Sequence, residues 1–149
     1  MYLLDSCICI DLMRGKLPYA YDLMRASDPK LFAVPAIVVA ELSYGVEKSS
    51  NPERNRLLTE RFLAPYEVIP FDNACALAYG TIRNQLRMEG CTIGPNDLFI
   101  AATAKARQAT LVTNNVREFQ RVRGLHVESW YVVELDEQAP SSDANLTKR

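Results

Sequence analysis

Tyr2-Leu3-Leu4-Asp5-Ser6 is the stretch on which the fold class turns. Three apolar residues closed by an acid and a hydroxyl read as a short buried strand ending at a polar edge. Outward from it, Ile8, Ile10, Leu12 and Met13, then Tyr21, Leu23 and Met24 beyond Gly15 and Pro18, predict two short helices. Leu31 to Val34 reads as a second strand stopped by Pro35. Proline is tolerated at the first helical position, and Ile37, Val38, Leu42, Tyr44 and Val46 continue that helix. Pro52 to Leu63 reads as a charged amphipathic helix with Leu57, Leu58 and Phe62 as its apolar stripe. Tyr66 to Phe71 is a third strand. A long helix follows from Asn73 to Glu89, with Ala76, Tyr79, Ile82 and Leu86 on one face and Gly90 at its end. Gly94-Pro95 opens an alanine-rich helix to about Arg107. Thr110 to Thr113 is a fourth strand, and His126-Val127 falls in a fifth. Strands alternating with helices imply an α/β fold, a parallel sheet covered on both faces.

At 149 residues the chain has the size of one domain. Hydrophobic content of 48% and charged content of 23% are ordinary for a globular protein, which excludes a disordered chain and a fibrous repeat. No apolar run is long enough to cross a bilayer, and the N-terminus lacks the pattern of a signal peptide, so no membrane association and a cytoplasmic location are expected. Cys7, Cys9, Cys75 and Cys91 lack the paired spacing of structural zinc sites and read as free thiols. From Glu134 the composition turns polar. Residues 134–149 read as a flexible tail and 1–133 as the domain. The tail carries net −2 of the chain's −1, leaving +1 on the domain.

Three carboxylates sit where carboxylates are expensive. Asp5 is flanked by Leu3, Leu4 and Ile8; Glu41 interrupts Pro-Ala-Ile-Val-Val-Ala and Leu-Ser-Tyr; Asp97 precedes Leu98-Phe99-Ile100. An ionised carboxylate in apolar surroundings loses several kcal/mol unless paired or metal-bound. Each also has an ordinary reading: Asp5 as a helix cap, Asp97 as a first-turn acid, Glu41 on a solvent face. In an open parallel sheet, ligands bind beyond the carboxyl ends of the strands, where Asp5 and Asn115 fall and to which Glu41 and Asp97 can converge. Oxygen ligands without cysteine or histidine suit Mg²⁺ or Mn²⁺, the ions of phosphate chemistry.

Leu3-Leu4-Asp5-Ser6, Val39-Ala40-Glu41-Leu42-Ser43-Tyr44-Gly45, Ile93-Gly94-Pro95-Asn96-Asp97-Leu98-Phe99-Ile100-Ala101 and Leu111-Val112-Thr113-Asn114-Asn115-Val116-Arg117-Glu118-Phe119 resemble the four motifs of PIN-domain ribonucleases. More closely, they resemble VapC toxins of bacterial type II toxin–antitoxin pairs. The resemblance covers residues 1 to about 130. It implies a three-layer α/β/α sandwich around a parallel sheet of about five strands. By the same resemblance Asp5, Glu41 and Asp97 are the metal-binding acids. Asn115 and Glu118 complete the catalytic set, with Ser6 and Thr113 in support. Cys7 departs from the asparagine common at its position. The implied activity is Mg²⁺- or Mn²⁺-dependent hydrolysis of structured RNA, tRNA among the candidates, leaving 5′-phosphate and 3′-hydroxyl ends. The implied partners are a VapB-type antitoxin and a second copy of the chain in a homodimer.

With the four acids set aside as metal-facing, the domain carries +5, and Arg83, Arg87 and Arg117 are candidate RNA contacts. Ile8, Ile10, Leu12, Met13, Tyr21, Leu23 and Met24 of the first two helices suggest an exposed groove, in which the resemblance implies that an extended antitoxin segment lies. Three rival readings stand beside this one. A phosphorylatable receiver lacks a lysine after Thr113. A metal-independent ribonuclease is left with His126 alone, in a strand. A catalytically silent PIN-like binding module is the third.

Overall fold

The computed structural model describes residues 1–131; the tail expected over 134–149 lies outside them. Its strands β1 (Tyr2–Leu4), β2 (Phe32–Pro35), β3 (Glu67–Ile69), β4 (Thr110–Val112) and β5 (His126–Glu128) form one parallel sheet ordered β3-β2-β1-β4-β5. Leu3, Leu4, Ala33, Val34, Leu111 and Val112 are fully buried. Such unbroken apolar runs are what a parallel sheet covered on both faces requires. The flanking helices are α1 (Ser6–Met13), α2 (Pro18–Ala26), α3 (Ala36–Glu47), α4 (Pro52–Leu63), α5 (Asn73–Met88), α6 (Pro95–Ala106) and α7 (Val116–Phe119).

From β1 the chain winds outward to β2 and β3, then returns to place β4 on the other side of β1. The switch point therefore lies between β1 and β4, where Leu4 pairs with Val112. A ligand site is expected just beyond those two residues. Asp5 and Thr113 are the residues that follow them, and the Asp5 N–H still bonds the Val112 carbonyl at 3.0 Å.

Several local expectations shift. Pro35 closes β2 and caps α3 from outside, so it is not a helical residue. The buried face of α5 runs through Cys75, Ile82 and Leu86, while Ala76 is exposed. Leu57 and Leu58 of α4 stay about half exposed, because this helix buries no residue fully and meets the body through Phe62 and Leu63. Residues Val116–Phe119, unassigned from sequence, form the short α7, held by Phe119, which is wholly buried. His126 stands exposed on an edge strand. Gly90 ends α5 with φ +68°, a backbone conformation that favours glycine. Among the described residues, no helix is long and apolar enough to cross a membrane.

Candidate active site

Asp5 has both carboxylate oxygens engaged, one of them in the helix cap expected from sequence. One oxygen, Oδ1, caps α1 by accepting the Ser6 N–H at 2.8 Å. The other, Oδ2, accepts the Thr113 hydroxyl at 2.7 Å. Thr113 is buried, and its Oγ1 in turn accepts the Asn115 N–H at 3.0 Å. A relay of donors thus runs from the start of α7 through β4's end to Asp5. The Cys7 thiol lies 3.7 Å from Asp5 Oδ2, and its sulfur accepts the Asn114 N–H at 3.4 Å. The cysteine thus keeps polar contacts at its position. Burial, foremost, pushes the Cys7 thiol up, which keeps it protonated.

Asp97 occupies the third position of α6, whose cap residue Gly94 supplies no side chain. A methyl group on Gly94 would meet Asp97 Oδ2 at 3.4 Å, so the carboxylate lies against that turn. The Gly94 N–H is directed at Glu118 Oε1, 2.8 Å away. Asn115 donates its side-chain amide to Glu118 Oε2 at 2.7 Å. These two hydrogen bonds, the Asn115 amide foremost, hold the Glu118 carboxyl below its usual range. Asp97 goes the other way. Burial first, then the charges of Asp5, Glu118 and Glu41, raise it to about 6. Glu41 is raised as well, by burial and then by Asp5, with the Ser6 hydroxyl and the Asn96 amide opposing the rise. Its Oε1 is buried without a hydrogen-bond partner. Ser6 therefore meets Asp5 through its backbone N–H, while its hydroxyl bears on Glu41.

An open cleft of about 810 Å³ reaches Ser6, Glu41 and Asn96. Among the described residues, no three acidic, cysteine or histidine side chains stand together as a finished metal cage. An ion that keeps several waters and takes one or two carboxylates has no need of such a cage. The orphaned Glu41 oxygen and the mutual repulsion at Asp97 both fit a hydrated divalent cation and an all-oxygen donor set.

The arginines are less gathered. Arg83 donates to the Tyr79 hydroxyl at 3.0 Å and Arg87 to Asn84 at 3.0 Å, each on its own helix α5. Arg117 is exposed on α7, one residue before Glu118.

The PIN domain family matches residues 2–125. The chain is a PIN domain. It is 42% identical over 132 residues to ribonuclease VapC2 of Rickettsia felis, covering 87% of this chain and 98% of that one. To the tRNA(fMet)-specific endonuclease VapC of Shigella flexneri it is 38% identical over 129 residues, covering 87% and 97%. In structure it resembles VapBC2 of Rickettsia felis bound to a promoter DNA fragment, with TM-score 0.80 at 40% identity over 87% of this chain and 98% of that one. The DNA-bound VapBC of Salmonella typhimurium gives 0.82 at 35% over 87% and 98%. Likenesses of this extent place this PIN domain among the VapC proteins.

Sequence reasoning on this PIN domain singled out neither Gly94, whose N–H anchors Glu118, nor Asn96, which faces Glu41. Both lie inside the stretch quoted around Asp97, so the signal was present. Their roles are made by backbone direction and by a neighbouring helix, which residue type does not announce.

Proposed function

We propose that this PIN domain is the endoribonuclease toxin of a VapBC-type pair, hydrolysing phosphodiester bonds in structured RNA, with tRNA as the substrate class. The observation that carries the reading is the pairing of a buried, unpartnered Glu41 oxygen with an Asp97 whose carboxyl is raised to about 6 by its acidic neighbours. A carboxylate set that destabilises itself is suited to a cation. Asp5, Glu41 and Asp97 would hold Mg²⁺ or Mn²⁺. When bound, such an ion lowers the pKa of a water and neutralises charge developing on the phosphoryl group.

The protein's own part is positional. Thr113 and the Ser6 N–H fix both oxygens of Asp5. Asn115 and Gly94 fix both oxygens of Glu118 and keep it ionised, so that it adds a held negative charge beside Asp97. Arg83, Arg87 and Arg117 are the proposed phosphate contacts, exposed and free of ion pairs among the described residues. Such contacts orient RNA without reading its sequence. Two relatives named tRNA(fMet)-specific endonucleases, from Shigella flexneri and Salmonella typhimurium, support tRNA as the first substrate to test.

The same reading includes a VapB-type antitoxin, a homodimer and action in the cytoplasm. Solved relatives carry such a partner in their VapBC assemblies. Of the apolar residues expected to offer a groove on the first two helices, Ile8, Leu12 and Met24 are core residues, whereas Tyr21 and Leu23 are exposed. A neighbouring cleft is lined by the half-buried Ile10 and Met13 of α1 and the exposed Tyr44 of α3 and Leu58 of α4, and it leads toward Glu41.

Incubation with initiator and elongator tRNAs in Mg²⁺ or Mn²⁺, beside excess EDTA and Asp97→Asn, tests the activity. Discrete cuts with 5′-phosphate ends, lost with chelator and in the variant, are expected. Cyclic 2′,3′-phosphate ends or full activity in EDTA would overturn it, and no cleavage of any RNA would favour a silent binding module.

A further inference from the structure

Two aromatic residues turn the chain back across the sheet after β5. Trp130 packs edge-on against Tyr2, with centroids 5.9 Å apart, and against Phe32 at 6.0 Å. The Tyr131 hydroxyl donates to Asp11 on α1. Both anchors lead into one groove. Phe32 packs against Tyr66, and Tyr66 against Phe62, each at 6.0 Å. Leu12 and Met13 directly follow Asp11. These neighbours help line a groove of about 510 Å³ built by α1, α2 and α4, with Tyr21 and Leu58 exposed along it. The groove is basic as well as apolar: Arg25 and Arg61 line it against one acid, Asp22. Among the described residues neither arginine forms an ion pair.

The sequence that continues from Tyr131 is Val132-Val133-Glu134-Leu135-Asp136-Glu137. Val133 and Leu135 alternate with Glu134 and Asp136, the period that an extended chain sends to opposite sides. Six extended residues reach about 20 Å, enough to cross from α1 to α4. We propose that residues 132–137 dock in this chain's own groove, Val133 and Leu135 against its apolar wall and the acids against Arg25 and Arg61. Position, reach, apolar pattern and charge all agree on this occupant. The inference goes beyond the ribonuclease reading. It makes the tail an internal competitor for any extended partner that seeks the same surface.

Hydrogen exchange of the full-length chain, followed by mass spectrometry, tests this directly. Amides in 133–137 are expected to exchange at least about tenfold more slowly than an unstructured peptide. Leu58→Asp, and separately Arg25→Glu with Arg61→Glu, should abolish that protection without moving the thermal midpoint, because these side chains are exposed. Adding Glu134→Lys with Asp136→Lys to the arginine pair should restore it. Free exchange of 133–137 in the unaltered chain overturns the proposal, as does protection that survives both groove variants. Protection that grows with protein concentration assigns the groove to a second copy's tail and also overturns it. No RNA is cleaved in this experiment, so its failure leaves the ribonuclease reading untouched.

Discussion

Thr113 and Asp5, 108 positions apart in sequence, meet through a 2.7 Å hydrogen bond across the switch point of the sheet. That bond ties the ends of two neighbouring strands. It also fixes the direction of one carboxylate oxygen. Thr113→Val should remove the donor to Asp5 and strand the Asn115 N–H. Leaving buried polar groups unpaired costs about 1–3 kcal/mol. Urea denaturation should show a loss of that size, and Thr113→Ser should recover most of it.

Asp97→Asn should abolish cleavage and leave metal-free stability equal or higher, since one of several repelling carboxylates is gone. The pH dependence carries the sign. Asp97 ionises near 6 when folded and near its ordinary 3.8 when unfolded. Between those values the folded chain binds more protons, so this residue's contribution to stability falls as pH rises. The thermal midpoint in EDTA, compared at pH 4.5 and pH 7, should drop more in the unaltered chain than in Asp97→Asn. Equal drops would make Asp97 an ordinary helix acid.

Divalent ion should reverse that effect. A ligand that binds only the folded state at 100 times its dissociation constant adds about 2.7 kcal/mol of stability. Mg²⁺ or Mn²⁺ should raise the midpoint of the unaltered chain at pH 7. Glu41→Gln and Asp97→Asn should blunt the rise. A thermal-shift titration reads this without any RNA, and an undiminished rise in both variants would place the ion elsewhere.

Asn115→Ala should raise the pKa of Glu118, because the amide is the foremost cause holding it down. Carboxyl-carbon NMR titration of the metal-free protein should find the Glu118 midpoint moved upward. Through the shared charges, Asp97 should then titrate lower over the pH range where Glu118 has become neutral.

Met13→Asp and Leu58→Asp should weaken capture of a co-expressed antitoxin several-fold while the protein stays folded. Met24→Asp is a different experiment. Met24 is 3% exposed, so a charge there should prevent folding, and loss of capture would say nothing of the surface. Thermal melts run beside the pull-down separate the two cases.

Sequence alone determined what depends on residue type and local spacing. The short apolar runs around Leu3, Val34 and Leu111 read as strands buried on both sides, and their alternation with helices implied a parallel sheet. The apolar sequence neighbours of Asp5, Glu41 and Asp97 marked them as a set, while each alone also read as a cap, a first-turn acid or a solvent-facing residue. Tertiary structure decided which atoms are partnered. Thr113 reaches Asp5 only because β4 inserts beside β1, and Gly94 reaches Glu118 only because α6 begins beside α7. The same holds for faces: Met24 and Tyr21 share one amphipathic helix, yet one is core and the other faces the groove. Hydrophobicity and period are local properties, whereas burial and hydrogen-bond pairing depend on what else arrives, and that is written only when distant segments pack.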